Sequence, residues 1–437
     1  MSPKNNRDCR PAWHFCAREG WINDPNGLLR DESGRWHLFA QYTPGALKPG
    51  PMHWLHAVSE DLLHWRELGV ALAPDALGEI YSGSAVVSQG KAVAVFTHHG
   101  ETERQSLAFS EDGVHFEKYP GNPVIDNPGL RDFRDPKVFR NDILGGWSMV
   151  VAAGDDLRFY HSRDLLRWEQ TGAFGKKENR MGGIFECPDL FPLPAPDGGT
   201  LWALTASMGL PASYDGGRMQ YFLGAFDGYG FRRTIEAERP LLVEAGQDNY
   251  AAVTFYRADP AKHAPPIQIG WANNWAYAGE TPTGGWRGCM TLARELCLMK
   301  TKEGLRLAAR PVSPPLGKSC SVSGGAAPLP GEGFVLDLEA PGDFSAALRN
   351  EQGERFAFGC AEGVFFTDRS GTGRLPFPRT SQARLLEGPV RARLIFDRSI
   401  AEIFADGGVY ANTSLLFPEK RYETVELQGA RGHVTAI

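Results

Sequence analysis

Three acidic residues in this chain stand one or two positions before a proline at the head of an apolar run. They are Asp24 in Trp-Ile-Asn-Asp-Pro-Asn-Gly, Asp135 in Phe-Arg-Asp-Pro-Lys-Val-Phe and Glu186 in Phe-Glu-Cys-Pro-Asp-Leu-Phe. Proline steers the residue before it toward extended backbone, so Asp24 and Asp135 are expected at strand-like angles, and Asn26-Gly27 adds a turn signal. Carboxylates presented that rigidly suit cleavage of a glycosidic bond, in which one acid attacks or activates water and another protonates the leaving oxygen. Taken singly, each motif reads more readily as turn capping, because Asp-Pro and Asn-Gly pairs are common in loops.

The elements that must position these acids announce themselves by repetition. Ser59-Glu-Asp61-Leu-Leu-His-Trp65 recurs as Ser110-Glu-Asp112-Gly-Val-His-Phe116 and Ser162-Arg-Asp164-Leu-Leu-Arg-Trp168, with a degenerate fourth copy at Asp227-Gly-Tyr-Gly-Phe231. The aspartates are 51, 52 and 63 residues apart, the scale of a propeller blade. Between them lie short alternating runs rich in β-branched and aromatic residues, such as Ser84-Ala-Val-Val-Ser. Five period starts follow: Asp24, Ser82, Asp135, Glu186 and Tyr250, spaced by 58, 53, 51 and 64 residues. In a propeller the equivalent strand of every blade lines the central channel, so acids in phase converge on one axial pocket. After residue 307 the texture changes. Residues 310–333 are rich in proline and small residues and read as a linker, and residues 334–437 alternate like a β-sandwich. The expectation is an all-β protein: a five-bladed catalytic propeller over 1–309, the linker, then the sandwich.

Composition narrows the function classes. A net charge of −6 and a pI near 6.0 leave no basic footprint, so neither nucleic acid nor an anionic membrane is an expected partner. No apolar run reaches about 18 residues, the length of a spanning helix. The N-terminus is polar and the seven cysteines contain no Cys-x-x-Cys pair, which leads to the expectation of a reducing, cytoplasmic setting. The His53/His56 pair and His98-His99 lack the helical context of a metalloenzyme motif, so no metal site is expected. Eleven tryptophans offer flat faces on which sugars stack.

The three motifs in combination resemble glycoside hydrolase family 32, the invertases, fructan β-fructosidases, inulinases, levanases and sucrose-6-phosphate hydrolases. The resemblance runs from about Trp13 to the end of the chain. It implies a five-bladed propeller followed by a β-sandwich, fructosides as substrates and no cofactor. Residue by residue, it makes Asp24 the nucleophile, Asp135 the transition-state stabiliser that holds the fructose hydroxyls, and Glu186 the acid/base. Asn23, Gln41, Tyr81, Ser82, Arg134, Cys187 and Trp271 match positions lining the fructosyl pocket, and Trp54 and Tyr250 are placed in the same set. Arg134 beside Asp135 is expected to keep that carboxylate ionised. The segment Gly270–Tyr277, with Pro282-Thr283, Trp286–Gly288 and Asp248–Ala251, is more similar to the fructan-cleaving members than to the sucrose-6-phosphate hydrolases. Two positions depart from the pattern. Pro49 stands where the family usually has a tryptophan, and Leu55 where it has a glycine. Trp54, Trp275 and Trp286 are the rings available to replace the missing indole.

These readings lead to a retaining exo-β-fructosidase. Its competitors are an inverting five-bladed glycosidase acting on arabinose or xylose polymers, a sucrose-6-phosphate hydrolase, a fructosyltransferase using the same site, and a non-catalytic sugar-binding propeller. A phosphate-binding acceptor side would need clustered cations, for which Lys176, Lys177 and Arg180 are the only candidates near a motif.

Overall fold

The computed structural model describes residues 9–209, 216–257, 264–373, 380–384 and 388–437. Five antiparallel sheets follow one another along the chain, each built outward from an inner strand: Gly20–Arg30, Glu79–Ser88, Phe133–Arg140, Ile184–Pro194 and Tyr250–Thr254. Each inner strand carries one of the five period starts, so the blades fall where the spacing puts them. The inner strand of blade 1 is buried along nearly its whole length, as expected of a strand walled in by neighbouring blades. Apolar clusters cement adjacent blades: Phe39, Trp54, Ile80 and Phe96 between blades 1 and 2, and Phe139, Phe159, Leu190 and Phe222 between blades 3 and 4. The ring closes through blade 5 excursions. Tyr256–Arg257 and Trp286–Arg287 pair in parallel with the first inner strand, at Leu29 and at Gly20.

The recurring Ser-x-Asp signature is the hairpin between the third and fourth strands of a blade. Asp61 Oδ1 accepts from the backbone N–H of Leu63 and His64 at 2.9 and 2.8 Å, and Asp112, Asp164 and Asp227 repeat this pair of bonds. Leu62 and Leu165 sit there at φ of 67° and 68°, where Gly113 and Gly228 stand in the other copies. The aspartate supplies the turn with an acceptor that a left-handed leucine alone does not, which is why the residue recurs.

The C-terminal unit encloses one core, from Phe334, Leu336 and Phe358 to Leu394, Ile403 and Val425. Its ten described strands form one continuous sheet folded over that core, because the long last strand Thr424–Ala436 pairs with Ser319–Pro328, Gly333–Ala340 and Phe344–Arg349. Residues 310–333 therefore differ from the expected linker: Ser319–Pro328 is a strand of this sheet. It lies at an edge with most of its residues exposed, so nothing selects apolar alternation, and its composition looks like a loop.

Propeller and sandwich meet through buried charges. Arg294 donates to Glu244 at 2.7 Å and to Thr413 Oγ1 at 2.7 Å, and lies 3.2 Å from Glu402. Arg369 pairs with Asp248, and Asp397 accepts from the backbone N–H of Ala12 and Trp13 and lies 2.9 Å from His14 Nδ1. Burial opposes a charge on His14, but Asp397 and Glu402 push its pKa up to about 10. The site described next rests on this braced ring.

Candidate active site

All five inner strands break their ladder at the motif. Register shifts fall between Ile22 and Pro25, between Tyr81 and Gly83, opposite the Arg134–Lys137 step, between Glu186 and Asp189, and between Tyr250 and Val253. Such bulges re-aim side chains and are frequent at functional sites. Asp135 adopts φ 64°, not the extended angle expected before proline, because its strand bulges there; Cys187 and Ala251 are left-handed too, at 44° and 52°. The bulges turn Asp24, Asp135 and Cys187 toward one point. The Cys187 Sγ lies 3.6 Å from Asp24 Oδ2 and 3.6 Å from Asp135 Oδ2.

A relay of amides and a hydroxyl holds Asp24. Trp21 Nε1 donates to Asn23 Oδ1 (2.8 Å), Asn23 Nδ2 to Gln41 Oε1 (3.0 Å), Gln41 Nε2 to Ser82 Oγ (2.7 Å), and Ser82 Oγ to Asp24 Oδ2 (2.7 Å). Asp24 Oδ1 accepts no hydrogen bond from any described residue. Burial raises the Asp24 pKa, the Ser82 hydroxyl and Asn23 amide counter it, and the Glu186 charge adds to the rise. Asp135 accepts from the Cys187 N–H at 2.8 Å and donates its own N–H to Thr97 Oγ1 at 3.0 Å.

Glu186 and Arg134 define the opposite wall. Arg134 Nη2 donates to Glu186 Oε1 at 3.0 Å, while Nη1 donates to Asp132 at 2.8 Å and Glu103 at 3.1 Å. Tyr250 donates its hydroxyl to Glu186 Oε2. The expectation that Arg134 keeps Asp135 ionised is met only in direction: its hydrogen bonds go to Glu186, Asp132 and Glu103, and its charge lowers the Asp135 pKa without overcoming burial. Burial dominates at Asp135, Arg134 pulls its pKa down from a distance, Asp24 and Glu186 push it up, and it stands at about 7. Burial opposes charge on Arg134 as well, but the carboxylates of Asp135, Glu186 and Glu103 hold it firmly protonated. The three acids thus form an asymmetric set. Asp24 and Asp135 are almost fully buried, and the Glu186 side chain is 22 % exposed.

The remaining expected residues divide. Tyr81 is half-buried and stacks on His99 with ring centroids 4.1 Å apart. Trp271 is wholly buried beneath the aromatic group formed with Trp21 and Trp275. Trp54 does not line the site. Its side chain alternates into the core between blades 1 and 2, and its Nε1 donates to the Tyr81 carbonyl at 3.0 Å. Trp286 is likewise spent, buried under the Arg10 guanidinium. Trp275, 42 % exposed and stacked on Trp21 at 5.8 Å, is the ring left to serve where Pro49 offers none. His56 bonds His37 and His98 bonds Ser106, and among the described residues no group of three metal-ligating side chains gathers. Sequence reasoning missed Thr97, Glu103 and Asp132, which brace Asp135 and Arg134. The polar Thr97 inside Val-Ala-Val-Phe-Thr was an available cue; Glu103 had none.

On the outer side of Glu186 the surface sinks into a depression of about 680 Å³ lined by Arg131, Asp132, Gly154, Asp155, Ile184 and Gly209. Gly209 keeps it open: a Cβ there would stand 3.0 Å from the Ile184 side chain and 3.4 Å from Glu186 Oε2.

Comparison with known proteins agrees with this geometry. Residues 14–311 match the glycosyl hydrolases family 32 N-terminal domain and residues 341–437 the family 32 C-terminal domain. The chain is 36 % identical to a levanase of Bacillus subtilis (strain 168), over 98 % of this chain and 69 % of that protein. It is 34 % identical to the extracellular exo-inulinase inuE of Aspergillus niger, over 94 % of this chain and 89 % of the other. Among solved structures, the exo-inulinase from Aspergillus awamori superposes with a TM-score of 0.88 at 28 % identity, covering 99 % of both chains. The fructofuranosidase from Schwanniomyces occidentalis complexed with fructose gives 0.88 at 26 %, covering 100 % of this chain and 99 % of the other. With its domain order, its three in-phase acids and similarity to these enzymes over nearly all of its own length, the chain belongs to glycoside hydrolase family 32.

Proposed function

We propose that the protein is a retaining exo-β-fructosidase that releases terminal fructose from fructans, fructo-oligosaccharides or sucrose. The observation that carries this reading is the asymmetry of Asp24, one oxygen fixed by Ser82 and the other free, in a pocket walled by Asp135 and Glu186. Asp24 Oδ1 attacks C2 of the terminal fructosyl unit, the bond from C2 to the leaving oxygen breaks, and the Glu186 proton goes to that oxygen. Glu186 then takes a proton from water, whose oxygen attacks C2 and releases Asp24. Asp135 accepts from fructose hydroxyls and supplies negative charge to the oxocarbenium-like transition state. The depression beside Glu186 lies on the leaving-group side and suits a further sugar, and the exposed Trp275, stacked on Trp21, offers a separate flat face for a sugar ring.

A phosphorylated leaving sugar gains nothing here. Arg180 is committed to the carbonyls of Ala237 and Glu238, and Arg131 and Lys176 are matched by Asp132 and Asp155. The test is incubation with sucrose, kestose, inulin, levan and sucrose-6-phosphate, with released fructose and its anomeric form followed by NMR. β-Fructofuranose as first product from the unphosphorylated sugars supports the reading. Release of the inverted anomer, no fructose at all, or a hundredfold preference for the phosphorylated sugar overturns it, and fructose transferred into longer oligosaccharides assigns a transferase. A cytoplasmic setting is also our proposal, supported by seven free cysteines, although the exo-inulinase relative is named extracellular. Protein found in the medium on immunoblotting of fractionated cultures overturns it.

A further inference from the structure

Beneath the acids, the channel holds a charged pair that the reaction above does not use. Lys137, on the inner strand of blade 3, donates from Nζ to the Thr254 carbonyl at 2.6 Å and to Thr254 Oγ1 at 3.2 Å, and lies 3.2 Å from Asp189 Oδ1. Asp189, on blade 4, accepts from the Thr254 N–H through its other oxygen at 2.5 Å. Thr254 belongs to blade 5. Blades 3 and 5 are not neighbours in the ring, so Lys137 reaches across the channel, past blade 4. All three residues are buried, with Asp189 fully so.

Each member of this bridge lies on the same strand as a residue of the site, just below it. Lys137 follows Asp135 by two residues, Asp189 follows Glu186 by three, and Thr254 follows Tyr250 by four. Between every such pair the ladder bulges, and each bulge contains a left-handed residue: Asp135, Cys187 or Ala251. Non-glycine residues persist in that region only where the surroundings over-determine them. A buried ammonium that bonds two other strands at once is such a constraint, and it acts at the foot of all three bulges.

We infer that Lys137 is a positioning residue for the hydrolysis. Its bridge to Asp189 and Thr254 pins the inner strands of blades 3, 4 and 5 and thereby sets the spacing of Asp135, Glu186 and Tyr250. The inference rests on the fructosidase reading. Loosening the pin lets the acids drift by fractions of an ångström, which weakens transition-state contacts more than ground-state binding.

The test compares wild type, Lys137→Met and Asp189→Asn on sucrose at 20 °C. Folding is checked by circular dichroism, and fructose affinity is measured by calorimetry. For folded Lys137→Met the expected result is a kcat at least tenfold lower, with KM and fructose affinity changed less than threefold. A lowered melting temperature with kcat within twofold of wild type refutes the pin and leaves a purely structural pair. If Lys137→Met does not fold, Asp189→Asn decides, since it keeps the shape and the bond to the Thr254 N–H. A fivefold or larger fall in its kcat supports the pin, and a kcat within twofold overturns it. Wild type that turns over neither sucrose nor inulin refutes the fructosidase reading itself, and the pin with it.

Discussion

Replacing Ser82 with alanine tests the reading of Asp24 without touching an acid. The Ser82 hydroxyl is the one side-chain oxygen donor bonded to Asp24, at 2.7 Å on Oδ2, and it is itself held by Gln41 at 2.7 Å. Burial raises the Asp24 pKa and the Ser82 bond works against that rise. A hydrogen bond to a charged group is worth about 1.5–3 kcal/mol. Its loss destabilises the ionised carboxylate by that amount, since the protonated form gains nothing from the same donor. On the acidic side of the pH profile, where ionised Asp24 is the minority form, kcat/KM falls about 10- to 100-fold, and the acid limb moves to higher pH. On the plateau the loss is smaller, because there Asp24 is ionised with or without the Ser82 bond. The assay is kcat/KM for sucrose from pH 3.5 to 8 for wild type and Ser82→Ala. An acid limb that stays in place, or moves to lower pH, refutes the assignment of that limb to Asp24.

Four further outcomes follow from the same geometry. Asp24→Ala folds normally by circular dichroism but loses at least about 10²- to 10⁴-fold in kcat, and retention of a tenth of wild-type rate removes it as nucleophile. Glu186→Ala regains turnover when azide is added, and mass spectrometry of the products finds fructosyl azide; no adduct and no rescue removes Glu186 as acid/base. Asp135→Asn is inactive yet more resistant to urea at pH 8. The Asp135 pKa of about 7 exceeds its unfolded value, so the stability linked to its proton is complete below about pH 4 and lost as pH rises through 7. The advantage of the asparagine, a few kcal/mol at most, must therefore vanish at pH 4. Trp275→Ala raises KM for kestose about three- to tenfold with kcat unchanged, as expected of a stacking face outside the reacting centre.

What could be read in advance was local. The Ser-x-Asp hairpins and the proline-flanked acids are written in adjacent residues, so their period placed all five inner strands. What could not be read depends on contacts between blades. Arg134 finds Glu186, 52 residues away, and not the adjacent Asp135, because the bulge turns Asp135 inward while the guanidinium lies along the wall of blade 4. Trp54 is expected at the pocket, but the alternation of its strand sends the indole into the seam between blades. The strand Ser319–Pro328 escaped for the opposite reason. An exposed edge imposes no apolar pattern, so its sequence resembles a crossing loop.

The seam of buried charge between the two units bears on whether the propeller can stand alone. Arg294, Glu244 and Asp248 on the propeller side find their partners Glu402, Thr413 and Arg369 on the sandwich side, all shut away from water. A propeller cut at Pro311 leaves Asp248 without its cation, Arg294 without one of its two anions, and a face that is buried in the whole chain open to water. The two units are therefore not interchangeable modules. Separating them breaks these pairs at the level of folding, so the propeller depends on the sandwich although none of the sandwich's described side chains belongs to the site.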